Sequence, residues 1–198
     1  MKNIVIPISI AVCTLCACNN SDNTSTSEKV VTKDSINNTT VAPPAAGDTD
    51  HVNSNVSVKG IVDAYLQVKN AFFTDNSAAA ATAASTLEKA FKDLDKGTLA
   101  SNRKKTFEDI AEDAIEHAEH ISKNSGKIAH QRTHFKMLSE DMYDLVKAFG
   151  VEQTLYKDFC PMYNEGKGAY WLSETKEIRN PYLGKKMPDC GTVKEEIK

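Results

Sequence analysis

The chain has 198 residues, of which 24 are Lys or Arg and 27 are Asp or Glu, for a formal net charge of −3. That balance offers no basic surface to nucleic acid, so no nucleic-acid partner is expected. No phosphate-cradling glycine loop, nucleophile elbow or HExxH pair occurs, so catalysis has no support and no enzyme is expected.

Residues 1–17 have the pattern of a cleaved export signal: Lys2, an apolar run from Ile4 to Leu15 broken by Pro7 and Ser9, then small residues. The run is too short to cross a bilayer. Leu15-Cys16-Ala17-Cys18 resembles the lipobox of bacterial lipoproteins, which implies that Cys18 is lipid-modified and begins the mature chain. Two or more acyl chains on one residue anchor stably. The expected location is therefore the bacterial cell envelope, attached to a membrane through lipid. Asn19 in the second mature position favours the outer membrane.

Residues 18–56 contain no aromatic residue and no Leu, only a polar, Ala- and Pro-bearing low-complexity tract. Such a segment cannot bury enough apolar surface to fold and is read as a tether reaching about 30–40 Å. The folded domain is expected over residues 57–198, one domain of ordinary size. Of the five cysteines, Cys13 and Cys16 leave with the signal and Cys18 is taken by lipid. Cys160 and Cys190 then remain as thiols in an oxidising compartment.

Within that domain four apolar stripes recur at helical spacing. Val58, Ile61, Val62, Tyr65 and Phe72 form the first, broken and recapped by Thr74-Asp75-Asn76-Ser77. Ala83, Ala84, Leu87, Phe91 and Leu94 form the second, with Gly97 expected as a left-handed C-cap. Phe107, Ile110, Ala114, Ala118 and Ile121 form the third, ending before Asn124-Ser125-Gly126. Ile128, Phe135, Leu138, Met142, Leu145 and Phe149 form the fourth, ended by Gly150. The expected fold is mainly α, an antiparallel four-helix bundle with short polar connections. Beyond Gly150 the texture changes to Tyr156, Phe159, Tyr163, Tyr170, Trp171 and Tyr182 among Asn, Gly and Pro. A short hairpin of 155–160 with 169–172 is expected there, followed by irregular turns packed on the bundle.

Two constellations can carry chemistry. The first is a pair of soft-donor clusters, Cys160-Pro161-Met162 and Met187-Pro188-Asp189-Cys190. Thiolate and thioether sulfurs prefer Cu(I), and a Pro beside each stiffens the turn that presents them. If the turns meet, four sulfurs converge, and Trp171 can cover a bound cation with its ring face. The competing reading is a Cys160–Cys190 disulfide that staples an aromatic interaction lobe, leaving Met162 and Met187 to pack. The two readings exclude each other at the thiols.

The second constellation is histidine, whose imidazoles, if gathered, suit Zn(II) or Cu(II), with the i, i+4 pair His130 and His134 on one helical face. His117 and His120 lie near the end of the third helix, and His130 and His134 near the start of the fourth. In an antiparallel hairpin His120 falls level with His130, and His117 with His134. Helical projection sets His134 at the border of the apolar stripe, His130 further round and His120 nearly away from the core face. A complete four-histidine site is accordingly not expected. His51, in the tether, is discounted. The acidic run Glu108, Asp109, Glu112, Asp113, Glu116 and Glu119 reads as a solvated helix face.

The string Gln131-Arg132-Thr133-His134-Phe135, Leu138-Ser139, Cys160-Pro161-Met162, Gly168-Ala169-Tyr170-Trp171-Leu172-Ser173, Ile178-Arg179-Asn180-Pro181-Tyr182, Gly184, Met187 and Cys190-Gly191 resembles one domain family. That family is a domain of unknown function found in bacterial envelope lipoproteins and appended to periplasmic adaptor subunits of heavy-metal efflux pumps. The resemblance implies company with copper and silver efflux. It strengthens Cys160, Met162, Met187 and Cys190 as ligands for Cu(I) or Ag(I) and adds His134 and His130 as matching positions of a His-containing helix. The functional expectation is a lipid-anchored soft-metal-binding module with a heavy-metal efflux adaptor as partner.

Overall fold

The computed structural model describes residues 56–198. The expected signal over 1–17, the lipidation of Cys18 and the tether as far as residue 55, His51 included, lie outside the described residues. Among the described residues no helix is long and apolar enough to cross a membrane.

The four stripes become four helices: α1 (Lys59–Phe73), α2 (Ser77–Asp93), α3 (Ser101–Lys123) and α4 (Ile128–Phe149). Each buries its apolar face against the next, α1 on α2, α2 on α3 and α3 on α4. Between α1 and α2 the chain turns through Asp75, with φ at 56°, and Asn76 caps α2 by accepting from the Ala79 amide at 2.9 Å. α4 stops at Gly150, whose φ of 77° ends the helical backbone while its amide still bonds the Val146 carbonyl at 2.9 Å. The expected role of Gly97 is corrected: α2 ends earlier, at Asp93, and Leu94 leaves it in extended conformation. Gly97 sits instead in a 3-10 turn (Lys96–Thr98) tied by the Asp95 side chain.

The bundle core is aromatic where α1 meets α4. Tyr65 stacks on Phe135 at 5.4 Å between centroids, and Phe72 meets the same ring edge-on at 5.1 Å. Both are arrangements that ring quadrupoles favour.

The C-terminal lobe is a three-stranded antiparallel sheet in the order β2-β1-β3, formed by β1 (Leu155–Cys160), β2 (Ala169–Ser173) and β3 (Thr192–Ile197). The expected hairpin is present, with Cys160 opposite Ala169 and Asp158 opposite Trp171. β3 was not expected. Of its side chains only Ile197 is buried, so the strand is held by backbone pairing to β1 rather than by an apolar face that the sequence would display. The turns between β2 and β3 are organised by the buried Asn180. Its side chain accepts from the Tyr182 and Leu183 amides and donates to the Cys190 carbonyl.

Several polar ties fasten this lobe to the helices. The Tyr65 hydroxyl lies 2.8 Å from Ser139 Oγ and accepts from the Leu172 amide at 3.1 Å. Lys69 donates to Glu174 at 2.6 Å and Asn70 to the other oxygen at 2.9 Å. Arg132 donates to the carbonyls of Pro181 and Phe72 and to Asp75, at 2.7, 2.8 and 2.6 Å.

Candidate metal centre

The α3–α4 hairpin is built to a fixed register. Ala114 and Ala118 of α3 are completely buried, and α3 packs along α4. At the tip, Gln131 is completely buried and donates to the carbonyls of Ile121 and Ser77 at 2.9 and 3.2 Å. Ser77 in turn donates to Gln131 at 2.6 Å and accepts from the Gly126 amide at 2.7 Å. One residue further, Arg132 grips the lobe. The first turn of α4 is therefore pinned immediately after His130, at Gln131 and Arg132.

On the face left free by these anchors, all four helical histidines come together. His134 is the hub. Its ring stacks on His120, with centroids 4.2 Å apart and planes 2° from parallel. His130 meets it edge-on at 4.8 Å and His117 at 5.5 Å. One ligating nitrogen from each of His120, His130 and His134 lies within 4.8 Å of the others. His117 Nδ1 is 3.4 Å from His134 Nδ1. His120 and His130 are exposed and His117 and His134 half-buried, so the cluster opens to solvent.

The electrostatics favour neutral imidazoles at the hub. Burial and the three neighbouring histidines push the pKa of His134 down to about 4. His117 is also lowered, mainly by burial, although Glu116, Asp113 and Glu140 act on it in the opposite sense. A neutral imidazole is the ligating form, so the lowered pKa values of His134 and His117 favour metal binding without prior loss of a proton at those two rings.

The expected difficulty with four histidines arose from projecting each helix onto its own core face. The rings do not need to face the core. His117 and His120 on α3, and His130 and His134 on α4, flank the same groove between two antiparallel helices, and the level pairing of the hairpin brings them into contact. His117 and His120 belong with His130 and His134, and their spacing on the two sides of Asn124-Ser125-Gly126 was the signal for it.

Of the four expected sulfurs, those of the two cysteines are neighbours. Cys160 Sγ and Cys190 Sγ lie 3.3 Å apart, between the end of β1 and the turn before β3. Both are free thiols. Met162 points outward, 58% exposed, and Met187 is half-buried. Among the described residues the only group of three or more His, Cys, Asp or Glu placed to share an ion is the histidine one, so no such residue joins the two thiols. Trp171 is completely buried, edge-on to Tyr182 at 5.9 Å, and its Nε1 has no hydrogen-bond partner. Its ring serves the core of the lobe.

Residues 61–154, from within α1 to the residue before β1, match the model of a family described as protein of unknown function (DUF3347). The matched stretch includes all four clustered histidines, while Cys160, Met162, Trp171, Met187 and Cys190 follow it. No curated protein and no solved structure matches the chain.

Proposed function

We propose that the domain is a transition-metal-binding module whose ion sits on the α3–α4 hairpin among His120, His130 and His134. The observation that carries this reading is the gathering of three imidazole nitrogens within 4.8 Å of one another on a pinned helical scaffold. In a tetrahedral site with bonds near 2.0–2.1 Å, ligand nitrogens stand about 3.3 Å apart. Side-chain rotations suffice to close that gap, because the backbone of the hairpin is already in register. Stacked rings direct their nitrogens in parallel, so binding requires His120 and His134 to unstack.

Together with the lipobox-like Leu15-Cys16-Ala17-Cys18, this makes the protein a lipid-anchored envelope module that captures metal and buffers it or passes it to an efflux adaptor. Of the expected ligands Cys160, Met162, Met187, Cys190, His134 and His130, this reading favours the two histidines over the sulfurs. Two thiols alone offer fewer donors than the cluster, and Met162 is turned to solvent. The test is native mass spectrometry of the full chain with Zn(II), Cu(II) and anaerobic Cu(I), beside His134→Ala. One retained ion in the parent and none in the variant is the expected result.

A second reading has its own observation. The 3.3 Å approach of Cys160 and Cys190 suits oxidation to a disulfide, which would make the C-terminal lobe a stapled platform for protein contacts. A partner captured equally by the parent and by His134→Ala would favour it.

A further inference from the structure

The residue that the three-histidine group omits is His117, which approaches the hub through a ring nitrogen. Its Nδ1 lies 3.4 Å from His134 Nδ1, already the spacing of two nitrogens on one tetrahedral ion. Only His134 among the four rings neighbours each of the other three, at 4.2, 4.8 and 5.5 Å. An ion held beside His134 is therefore within reach of donors from both helices, two on α3 and two on α4.

We infer that His117 is the fourth ligand of an all-imidazole site, His117, His120, His130 and His134, that takes borderline divalent ions such as Zn(II), Cu(II) or Ni(II) in preference to soft monovalent ones. This rests on the metal-binding reading above and narrows its ion class.

The chemistry of the donors supports the class. Imidazole nitrogen suits Zn, Cu(II) and Ni, whereas Cu(I) and Ag(I) are selected by thiolate and thioether sulfur. No cysteine belongs to the three-histidine group, and the thiol pair lies at the C-terminal end of β1. The charge of a divalent ion would be uncompensated by four neutral rings, but carboxylates stand just outside them. Glu116, Asp113 and Glu140 all act on His117 in the sense that stabilises positive charge there. The rings provide the bonds and nearby acids the counter-charge, Glu116 Oε1 lying 3.8 Å from His120 Nε2. His117 is also the innermost donor of α3, half-buried where His120 is exposed, so it closes the side of the ion that faces the groove.

The experiment is competition of the full chain against a chromophoric chelator with Zn(II), and with anaerobic Cu(I), for the parent, His117→Ala and His134→Ala. Co(II) serves as a spectroscopic stand-in for Zn(II), and circular dichroism checks the fold. The expected result is one Zn(II) per chain, bound more tightly than Cu(I), with affinity lowered at least about tenfold in His117→Ala. The intense visible band of four-coordinate Co(II) should weaken in the same variant. Unchanged Zn(II) affinity and an unchanged Co(II) spectrum in His117→Ala would overturn the fourth ligand. Tighter Cu(I) binding that survives both variants would overturn the ion class and return the metal to the sulfurs. Binding of neither ion by the folded parent would overturn the metal-binding reading itself.

Discussion

The ammonium of Lys69, a residue completely buried on α1, sits 2.6 Å from the Glu174 carboxylate that follows β2. Burial lowers the pKa of Lys69, while Glu174 is held below its usual range by Lys69 and Asn70 despite its own partial burial. The contact makes the junction between bundle and lobe depend on charge. Glu174→Ala leaves an unpaired buried cation and should cost about 3 kcal/mol. Lys69→Met together with Glu174→Gln, which removes both charges, should cost less than the single change. Urea denaturation measures both, and equal losses would show that the pair acts only through packing.

Asp158 on β1 is also completely buried, and neither of its carboxyl oxygens has a hydrogen-bond partner. Burial raises its pKa to about 7, against the attraction of Lys69. The folded state thus holds a proton that the unfolded chain releases near pH 4. The cost of ionising Asp158 is absent below about pH 4, grows as pH rises and is complete above about pH 7. Asp158→Asn should match the parent near pH 4 and exceed its stability at pH 8 by roughly 1–3 kcal/mol. Asp141, raised to about 7 by burial, Asp113 and Glu140, titrates in the same window, so the pH slope should shrink in Asp158→Asn without vanishing. An unaltered slope would remove Asp158 from the account.

If the histidine cluster binds an ion only in the folded chain, free Zn(II) at a hundred times its dissociation constant adds about 2.7 kcal/mol of stability. For a domain of this size that is a rise in melting temperature of roughly 6–10 °C. His134→Ala should lose nearly all of this shift, because its ring contacts each of the other three. Differential scanning fluorimetry with and without a chelator gives the comparison.

The thiols of Cys160 and Cys190 need to close from 3.3 Å to the bond length of about 2.05 Å, a small side-chain movement. Mild oxidation should therefore make the protein two hydrogens lighter and block alkylation of both residues. Linking positions 30 apart should stabilise by about 3–4 kcal/mol relative to the reduced form. Two alkylated thiols after oxidant treatment would rule the bond out.

The helices were legible because their signals are local and repeated: one apolar face per stripe, an Asn76 cap, a Gly150 stop. The hairpin of β1 and β2 was legible for the same reason. β3 was not, since Thr192-Val193-Lys194-Glu195-Glu196-Ile197 offers alternation with almost no apolar face and takes its structure from β1. Gly97 misled because a glycine after an apolar stripe is also what a capped 3-10 turn needs. At the site, the residues were visible but their assembly was not. The sequence displayed the level pairing of His117 with His134 and of His120 with His130. It could not display how closely α3 and α4 pack, and in the packed hairpin the four side chains form one cluster.

The strand order β2-β1-β3 bears on the sequence of events in folding. The helix pairs α1–α2 and α3–α4 join neighbours across short turns, contacts that close quickly because little chain must be gathered. The central strand β1 can pair with β2 almost at once, but its other edge stays open until Thr192–Ile197 arrives from beyond the turns around Asn180. The helical hairpin bearing the histidines can thus form well before the sheet is complete. A nascent chain would acquire its metal donors first and close the lobe last.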